Sequence, residues 1–597
     1  MTMNKILCFI FAAFAASVAN AIEITRYVAQ GATGDGLTKE SPAGDLKKVL
    51  DLSKNVDGLT VYLEPGQYEL PPLTDVNSRT RYNNVCIYGG GCQGIAKAES
   101  KSVIKGDLSI NGGAVLNVNF IGSRIEDKWS PNVLEGSLHV IGCNLFYTNA
   151  TQLEVETANG NDLSLIEVSA KSMSLHPWRQ GDPRSTIHAL GCTFDGGEGA
   201  SFSGVCLQAV NCSFSLNKDA AGISLNRCTG SVLQNCQIIG NNGFGGITVT
   251  NLTDDIDVVF DRCIISRNTS THGDHSSAIT TRTPILLRSC LVSGNYSDLK
   301  AKGASYHNQY QGAIELCRRA SRFENCTFTN NKDAVIYYSM EAGDHDRIGT
   351  PNFINCIFLS NGKPYVSTSG KAPLMGYCAA DFGSDIPELD AERHMMRITE
   401  QSSGMSIYKD MMVELNEGSP LINAGLPTTN LDLNGNCHLM LGGTDLGCAE
   451  YTGDWTPVNP SQQIEFGGTD YSLMESTYKS EKYFAYMPGA EPGINITNCI
   501  YAGNNASPCQ IKDNSVIATY MNFGDSHLAI LYQIKSSIWG TNDYLSITGS
   551  MPYKTALPKP EKVDGRWILK EPAVKKTTST AKRGAQTKRT TSAKRRR

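Results

Sequence analysis

The sequence predicts an all-β chain wound as a parallel β-helix, and three recurring phrases carry that expectation. The first is Asn-Cys or a variant, with an apolar residue two places further on: Asn211-Cys212-Ser213-Phe214, Asn235-Cys236-Gln237-Ile238, Arg262-Cys263-Ile264-Ile265, Ser289-Cys290-Leu291-Val292, Asn325-Cys326-Thr327-Phe328 and Asn355-Cys356-Ile357-Phe358. Gly191-Cys192-Thr193-Phe194 and Gly142-Cys143 read as looser, earlier copies, and from Cys192 the intervals are 20, 24, 27, 27, 36 and 30 residues. Between the cysteines lies a second phrase with strand alternation: Gly222-Ile223-Ser224-Leu225, Gly246-Ile247-Thr248-Val249, Ala278-Ile279-Thr280, Ala313-Ile314-Glu315-Leu316 and Val335-Ile336-Tyr337-Tyr338. The third is a turn asparagine, at Asn241, Asn268, Asn295, Asn331 and Asn361. Short strands in repeats of this length, without a helical period, suit coils stacked about 4.8 Å apart. Like residues then fall above like residues, with cysteines pointing inward and asparagines at corners. There, asparagine offers both tolerance of the left-handed conformation and an amide that bonds to its neighbour above. A sandwich or propeller would show hairpin turns and a more regular period.

The ends follow in order. Lys5, the apolar run 6–18 and Ala19-Asn20-Ala21 read as a secretory signal peptide over residues 1–21. The run is shorter than the roughly 20 residues that a bilayer crossing needs. The chain is therefore expected to be secreted or on the cell surface, where its cysteines can pair. Residues 22–104 form an N-terminal cap and first coils, with Leu46, Val49 and Leu50 on one face of a short helix that closes the open end. The solenoid spans 105–451, a linker with Pro457 and Pro460 spans 452–462, and 463–570 reads as a small β-rich domain. Residues 571–597 are low-complexity and disordered by composition. Cys437 and Cys448 flank a turn and form the better disulfide candidate, while Cys499 and Cys509 either pair or stay as free thiols.

The stretch Tyr27-Val28-Ala29-Gln30-Gly31-Ala32-Thr33-Gly34-Asp35-Gly36, the helix, and Thr60-Val61-Tyr62-Leu63-Glu64-Pro65-Gly66-Gln67-Tyr68 resemble the opening of exported right-handed parallel β-helix proteins. Pectate-lyase-like and polymorphic outer-membrane-protein-like chains share that opening. Ser419-Pro420-Leu421-Ile422-Asn423-Ala424-Gly425 with Asp445-Leu446-Gly447-Cys448-Ala449-Glu450-Tyr451 is similar to their closing segment. The resemblance covers about residues 26–451. It implies a right-handed parallel β-helix solenoid and is specific for fold rather than activity.

Function is expected on the outside of the coils. After its turn asparagine, one coil adds Thr269, Ser270, Thr271, His272, Gly273, Asp274 and His275, and the next adds a longer segment with Tyr296, Lys300, Lys302, Tyr306, His307 and Tyr310. Both additions follow the same corner, beside the outward strand positions Thr248, Thr280, Glu315 and Tyr337. The far corner carries Asp254, Asp255, Arg282, Arg318, Asp344 and Arg347. Two charged walls around a polar strand make a trough for an extended polymer, a polysaccharide or cell-surface glycan. Two roles fit it: glycan binding without catalysis, or cleavage of an acidic polysaccharide. A lyase needs a cation on the sugar carboxylate, a base and an acid. Asp254, Asp255 and Asp344 are the candidate Ca²⁺ ligands. Arg282, Arg318, Lys300 and His272 are candidate bases, and Tyr310 and His275 candidate acids. A hydrolase would draw its two carboxylates from Asp254, Asp274 and Glu315. Solvated ion pairs on exposed corners would look the same in sequence. Further candidates for a sugar platform and anion clamp are Trp178 and Arg179, in a turn-rich stretch that also holds His176 and Arg184.

Residues 572–597 carry ten Lys/Arg and no acid, which leaves −15 on the rest of a chain whose net charge is −5. An acidic body argues against specific nucleic-acid binding, and the basic tail suits an anionic surface polymer or membrane. Deleting 572–597 is expected to leave the thermal transition unchanged and to lower attachment to anionic polymer or vesicles. That attachment should fall steeply with salt, since exposed charges are screened over about 8 Å at physiological ionic strength. Binding that persists in molar salt would refute this reading of the tail.

Overall fold

The computed structural model describes residues 22–569 except 72–81, 122–136, 178–183, 251–257, 273–274, 299–311, 317–320, 339–349, 368–372, 382–393 and shorter gaps, with only strands and connecting turns described after residue 457. One coil shows the plan. Strand Gln237–Ile239 leads to the corner Asn241 and the short strand Asn242–Gly243, then to strands Ile247–Val249 and Val258–Asp261, and Cys263 opens the next coil. Each strand pairs in parallel with its counterpart one coil on: Ile238 with Ile265, Thr248 with Thr280, and Val259 with Leu286. The result is a parallel β-helix with three long faces, called here the third, first and second sheets in the order just given. Parallel pairing already begins between Glu23–Val28 and Gly58–Leu63.

Alternation fills the interior. In the first sheet Ile223, Ile247, Ile279, Ile314 and Ile336 form one inward row, all fully buried. Phenylalanines stack likewise, Phe323 on Phe353 at 4.5 Å and Phe328 on Phe358 at 5.1 Å between ring centroids. The cysteines form the expected inward ladder, since the residue after each donates its N–H to the cysteine carbonyl one coil back, from Cys192 through Cys212, Cys236, Cys263, Cys290, Cys326 and Cys356 to Cys378. All are buried free thiols. Their Sγ atoms donate to core-facing carbonyls, as Cys263 does to Leu233 O at 3.3 Å. Burial pushes the Cys236 and Cys263 thiols well above their ordinary range, which keeps these two protonated. Cys378 belongs to the ladder although its neighbours break the phrase. Cys143 does not, because Val118, Thr148 and Val168 hold the earlier rungs while Cys143 pairs with Gly113 within a longer bent strand.

The corner asparagines form a second ladder, which also includes Asn217. The backbone N–H and Nδ2 of Asn241 both donate to Oδ1 of Asn268, at 3.0 and 2.8 Å, and Nδ2 also donates to Phe214 O at 2.9 Å. Asn217, Asn268, Asn295 and Asn331 repeat this pattern up to Asn361. The left-handed conformation expected of these asparagines falls instead one residue earlier, on Leu216, Gly240, Arg267, Gly294, Asn330 and Ser360, with φ between 55° and 69°. The residue before each ladder cysteine is left-handed too, Arg262 at 53° and Ser289 at 49° among them.

The N-terminal helix Leu46–Asp51 forms as expected, capped by Asp45, whose side chain accepts from Lys48 N–H, and it buries Leu46, Val49 and Leu50. Residues 419–451 do not close the end of the helix. They run back along the outer surface of the third sheet, where Leu433 and Cys448 pack on Leu291, Cys448 N–H donates to Thr327 Oγ1 at 3.0 Å, and Asn355 exchanges hydrogen bonds with Leu426. Buried His438 bridges Ser289 and Glu450 at 3.1 Å each, and burial holds its imidazole down at about 3. Cys448 is a buried free thiol, and Cys437, Cys499 and Cys509 lie outside the described residues. Beyond them Gln463–Phe466, Thr469–Tyr478, Glu481–Pro488 and Ile500–Asn504 form an antiparallel sheet, joined by Pro560–Val563 and Arg566–Leu569.

Asn268→Ala should be among the most damaging single changes. It leaves the Asn241 N–H without its acceptor inside the coil, and it removes one hydrogen bond each from the Asn241 amide, which keeps Phe214 O, and from the Ile238 carbonyl. At about 1–3 kcal/mol for the orphaned N–H and about 1 kcal/mol for each further lost bond, the loss should reach about 3 kcal/mol or more in denaturant unfolding. Asn361→Ala, at the half-exposed end of the ladder, should cost clearly less. Equal effects would show that the ladder does not act as a connected network.

Candidate functional site

The first sheet turns one row of side chains outward, and strand register makes that row continuous. Ser109 pairs with His139, His139 with Glu154, Glu154 with Ser174, Ser174 with Ser201, and Ser201 with Ser224. The row goes on through Thr248, Thr280 and Glu315, and the backbone of Tyr337 continues its register. Every position through Glu315 is polar, because alternation sends the apolar neighbours inward. Ser174 and Ser201 are exposed, Ser224 and Thr248 half-buried, and Thr280 and Glu315 each only 8 % exposed.

A cavity of about 460 Å³ lies over the middle of this row, lined by Gln152, Glu154, Ser172, Ser174, Glu198, Ser201, Ser224 and Phe244. At one end Phe244 carries two histidines, with ring centroids of His272 and His275 at 4.1 and 4.7 Å. Residues 275–276 are held on the sheet there by Ser276 N–H donating to Thr280 Oγ1 at 2.7 Å and by Ser270 Oγ donating to His275 O at 2.7 Å. At the other end stands a cluster that sequence reasoning did not single out. His139 Nε2 lies 2.8 Å from Glu156 Oε1, and its Nδ1 lies 3.0 Å from Ser109 Oγ. Glu154 is two residues from Glu156 on the same strand, hence on the same face. One donor atom each from His139, Glu154 and Glu156 lies within 4.8 Å of the others, and these side chains are the described ones that converge as metal ligands would. His176 Nε2 lies 3.7 Å from Glu154 Oε1, and that carboxylate raises the imidazole above its ordinary value.

The expected site residues are only partly brought together. His272 and His275 meet at Phe244, Glu315 continues the row that includes Thr280, and Tyr337 follows it in backbone register. Arg282 is exposed just past the strand Ile279–Thr281. Tyr296 lies on the short corner strand beside Thr269, with Lys332 Nζ 4.6 Å from its ring centroid. That strand pairing starts the two corner additions side by side. Trp178, Arg179, Asp254, Asp255, Asp274, Lys300, His307, Tyr310, Arg318 and Asp344 lie outside the described residues. The cluster did leave one signal in sequence, since Glu154-Val155-Glu156 on a strand puts two carboxylates on one face. Its register with His139 and Ser109 is a property of the stacked coils.

No protein-family model matches the chain, and no curated protein matches it. Among solved structures it is similar to the crystal structure of pectate lyase Pel9A, at 15 % identity over 72 % of this chain and 97 % of that one, with a TM-score of 0.29. It is also similar to the periplasmic alginate epimerase AlgG, at 13 % identity over 54 % of this chain and 85 % of that one, with a TM-score of 0.33.

Glu154→Gln should move the His176 titration, followed by NMR, to lower pH, because the partner that favours the imidazolium loses its charge. A raised histidine contributes stability that is present below its ordinary value of 6.5 and lost as pH rises through the raised one. The variant should remove that small, partly solvent-screened contribution. An unmoved titration would show that the contact does not hold in solution.

Proposed function

We propose that the protein binds a glycan along the outer face of the first sheet. The unbroken polar row from Glu154 through Ser174, Ser201, Ser224 and Thr248, crossing the cavity at strand spacing, carries this reading. Saccharides offer closely spaced hydroxyls, and a row of hydroxyls and carboxylates repeating with each coil can bond to successive sugars. Phe244 supplies an apolar wall for a ring face. The carboxylates at the cavity, Glu154 and Glu198, accept hydrogen bonds from a neutral sugar directly. A uronate there needs a cation between the charges, and Ca²⁺ on Asp254, Asp255 and Asp344 remains part of the proposal for acidic chains. Export to the cell surface belongs to the same reading, with the basic tail as a second attachment to anionic polymer or membrane.

A second reading, lyase-type cleavage of an acidic polysaccharide, is favoured by the convergence of His139, Glu154 and Glu156 beside the cavity. A glycan array followed by calorimetry tests the first reading. Ser201→Trp, which places a large ring on an exposed rung, should weaken binding at least tenfold without moving the thermal transition. Undiminished binding in Ser201→Trp would rule out this face. Unsaturated uronate products, detected by ultraviolet absorbance with or without Ca²⁺, would decide for the second reading.

A further inference from the structure

We infer that His139, Glu154 and Glu156 form a binding site for a divalent first-row transition-metal ion such as Zn²⁺. The inference does not depend on the glycan reading. It rests first on burial, since the His139 and Glu156 side chains are only 3 % and 9 % exposed, so an imidazole and a carboxylate face each other away from water. Their 2.8 Å approach requires one positive centre between Nε2 and Oε1, either a proton or a metal ion. Ser109 Oγ, on a residue only 1 % exposed, lies 3.0 Å from Nδ1. In the loaded form that hydroxyl accepts from Nδ1–H and leaves the Nε2 lone pair for the ion, the arrangement usual behind a metal-bound histidine. Glu154, about one-third exposed at the cavity, supplies the second carboxylate, and the cavity leaves room for water or ligand oxygen in the remaining positions.

The donor set selects the ion. One imidazole nitrogen with two carboxylates suits zinc or manganese, whereas Ca²⁺ takes six to eight oxygens. Bonds of about 2.0–2.2 Å put tetrahedral donors roughly 3.4 Å apart, so the His139–Glu156 pair must part slightly while Glu154 swings inward. The ion replaces the shared proton, and His176 beside Glu154 competes for that carboxylate when it is charged.

The test is titration of the full chain with Zn²⁺ by calorimetry and with Co²⁺ by visible absorption. Wild type should bind saturably, more tightly as pH rises through the histidine range because a proton is released. Glu154→Gln should weaken binding at least tenfold with an unchanged thermal transition, and Ser109→Ala about 10–100-fold. Glu167→Gln, on an exposed carboxylate outside the cavity, should leave affinity unchanged. The Co²⁺ spectrum should show weak d–d bands. A strong thiolate-to-cobalt band would place the ion on a cysteine such as Cys86 or Cys206 and overturn the assignment. So would the absence of saturable binding, or undiminished affinity in Glu154→Gln.

Discussion

In the ladder from Asn217 to Asn361, each asparagine oxygen from Asn241 on accepts two hydrogen bonds from the asparagine one coil back, and each amide nitrogen also donates to a strand carbonyl. Asn217, Asn241, Asn268, Asn295 and Asn331 are fully buried. A buried amide without partners costs on the order of 1–3 kcal/mol, so this chain of amides is stable only while every coil keeps register with the next. A slip of one residue would break the ladder and turn the isoleucine rows outward together. The ladder and the hydrophobic core therefore enforce one another.

That constraint reaches the backbone. Parallel stacking repeats the same corner in every coil, so residues with side chains must take left-handed conformations where glycine is absent. Leu216, Arg262, Arg267, Ser289 and Ser360 do so. Each carries a conformational cost that the surrounding bonds offset. The cysteines fit the opposite requirement. A small thiol fills the tight inward position after the corner and donates weakly to a carbonyl, which makes the ladder a matter of packing rather than of redox chemistry.

The same register that builds the core builds the outer face. Since residue type repeats every coil, a polar position becomes a polar row, and a groove crossing the coils is obtained without dedicated loops. Where the repeat is broken, chemistry is concentrated: serine gives way to Glu154 and His139, and the corner opens into the segment with His272 and His275. The metal-like cluster and the histidine pair thus stand at opposite ends of one hydroxyl-lined floor.

The cysteine phrase, the alternating strands and the turn asparagines were enough to read the parallel coils, the inward ladder and the N-terminal helix, because stacking at fixed spacing writes a repeat into the chain. The row Thr248, Thr280 and Glu315 was legible for the same reason. The left-handed residue lay one place earlier than expected, since the amide ladder itself needs the asparagine held in place rather than used as the bend. Cys143 and residues 419–451 were misplaced because a bent strand and a segment folded back over the third sheet leave no local period. The meeting of Ser109, His139 and Glu156 was decided only by tertiary structure. Register across coils of unequal length, rather than distance along the chain, determines which side chains touch.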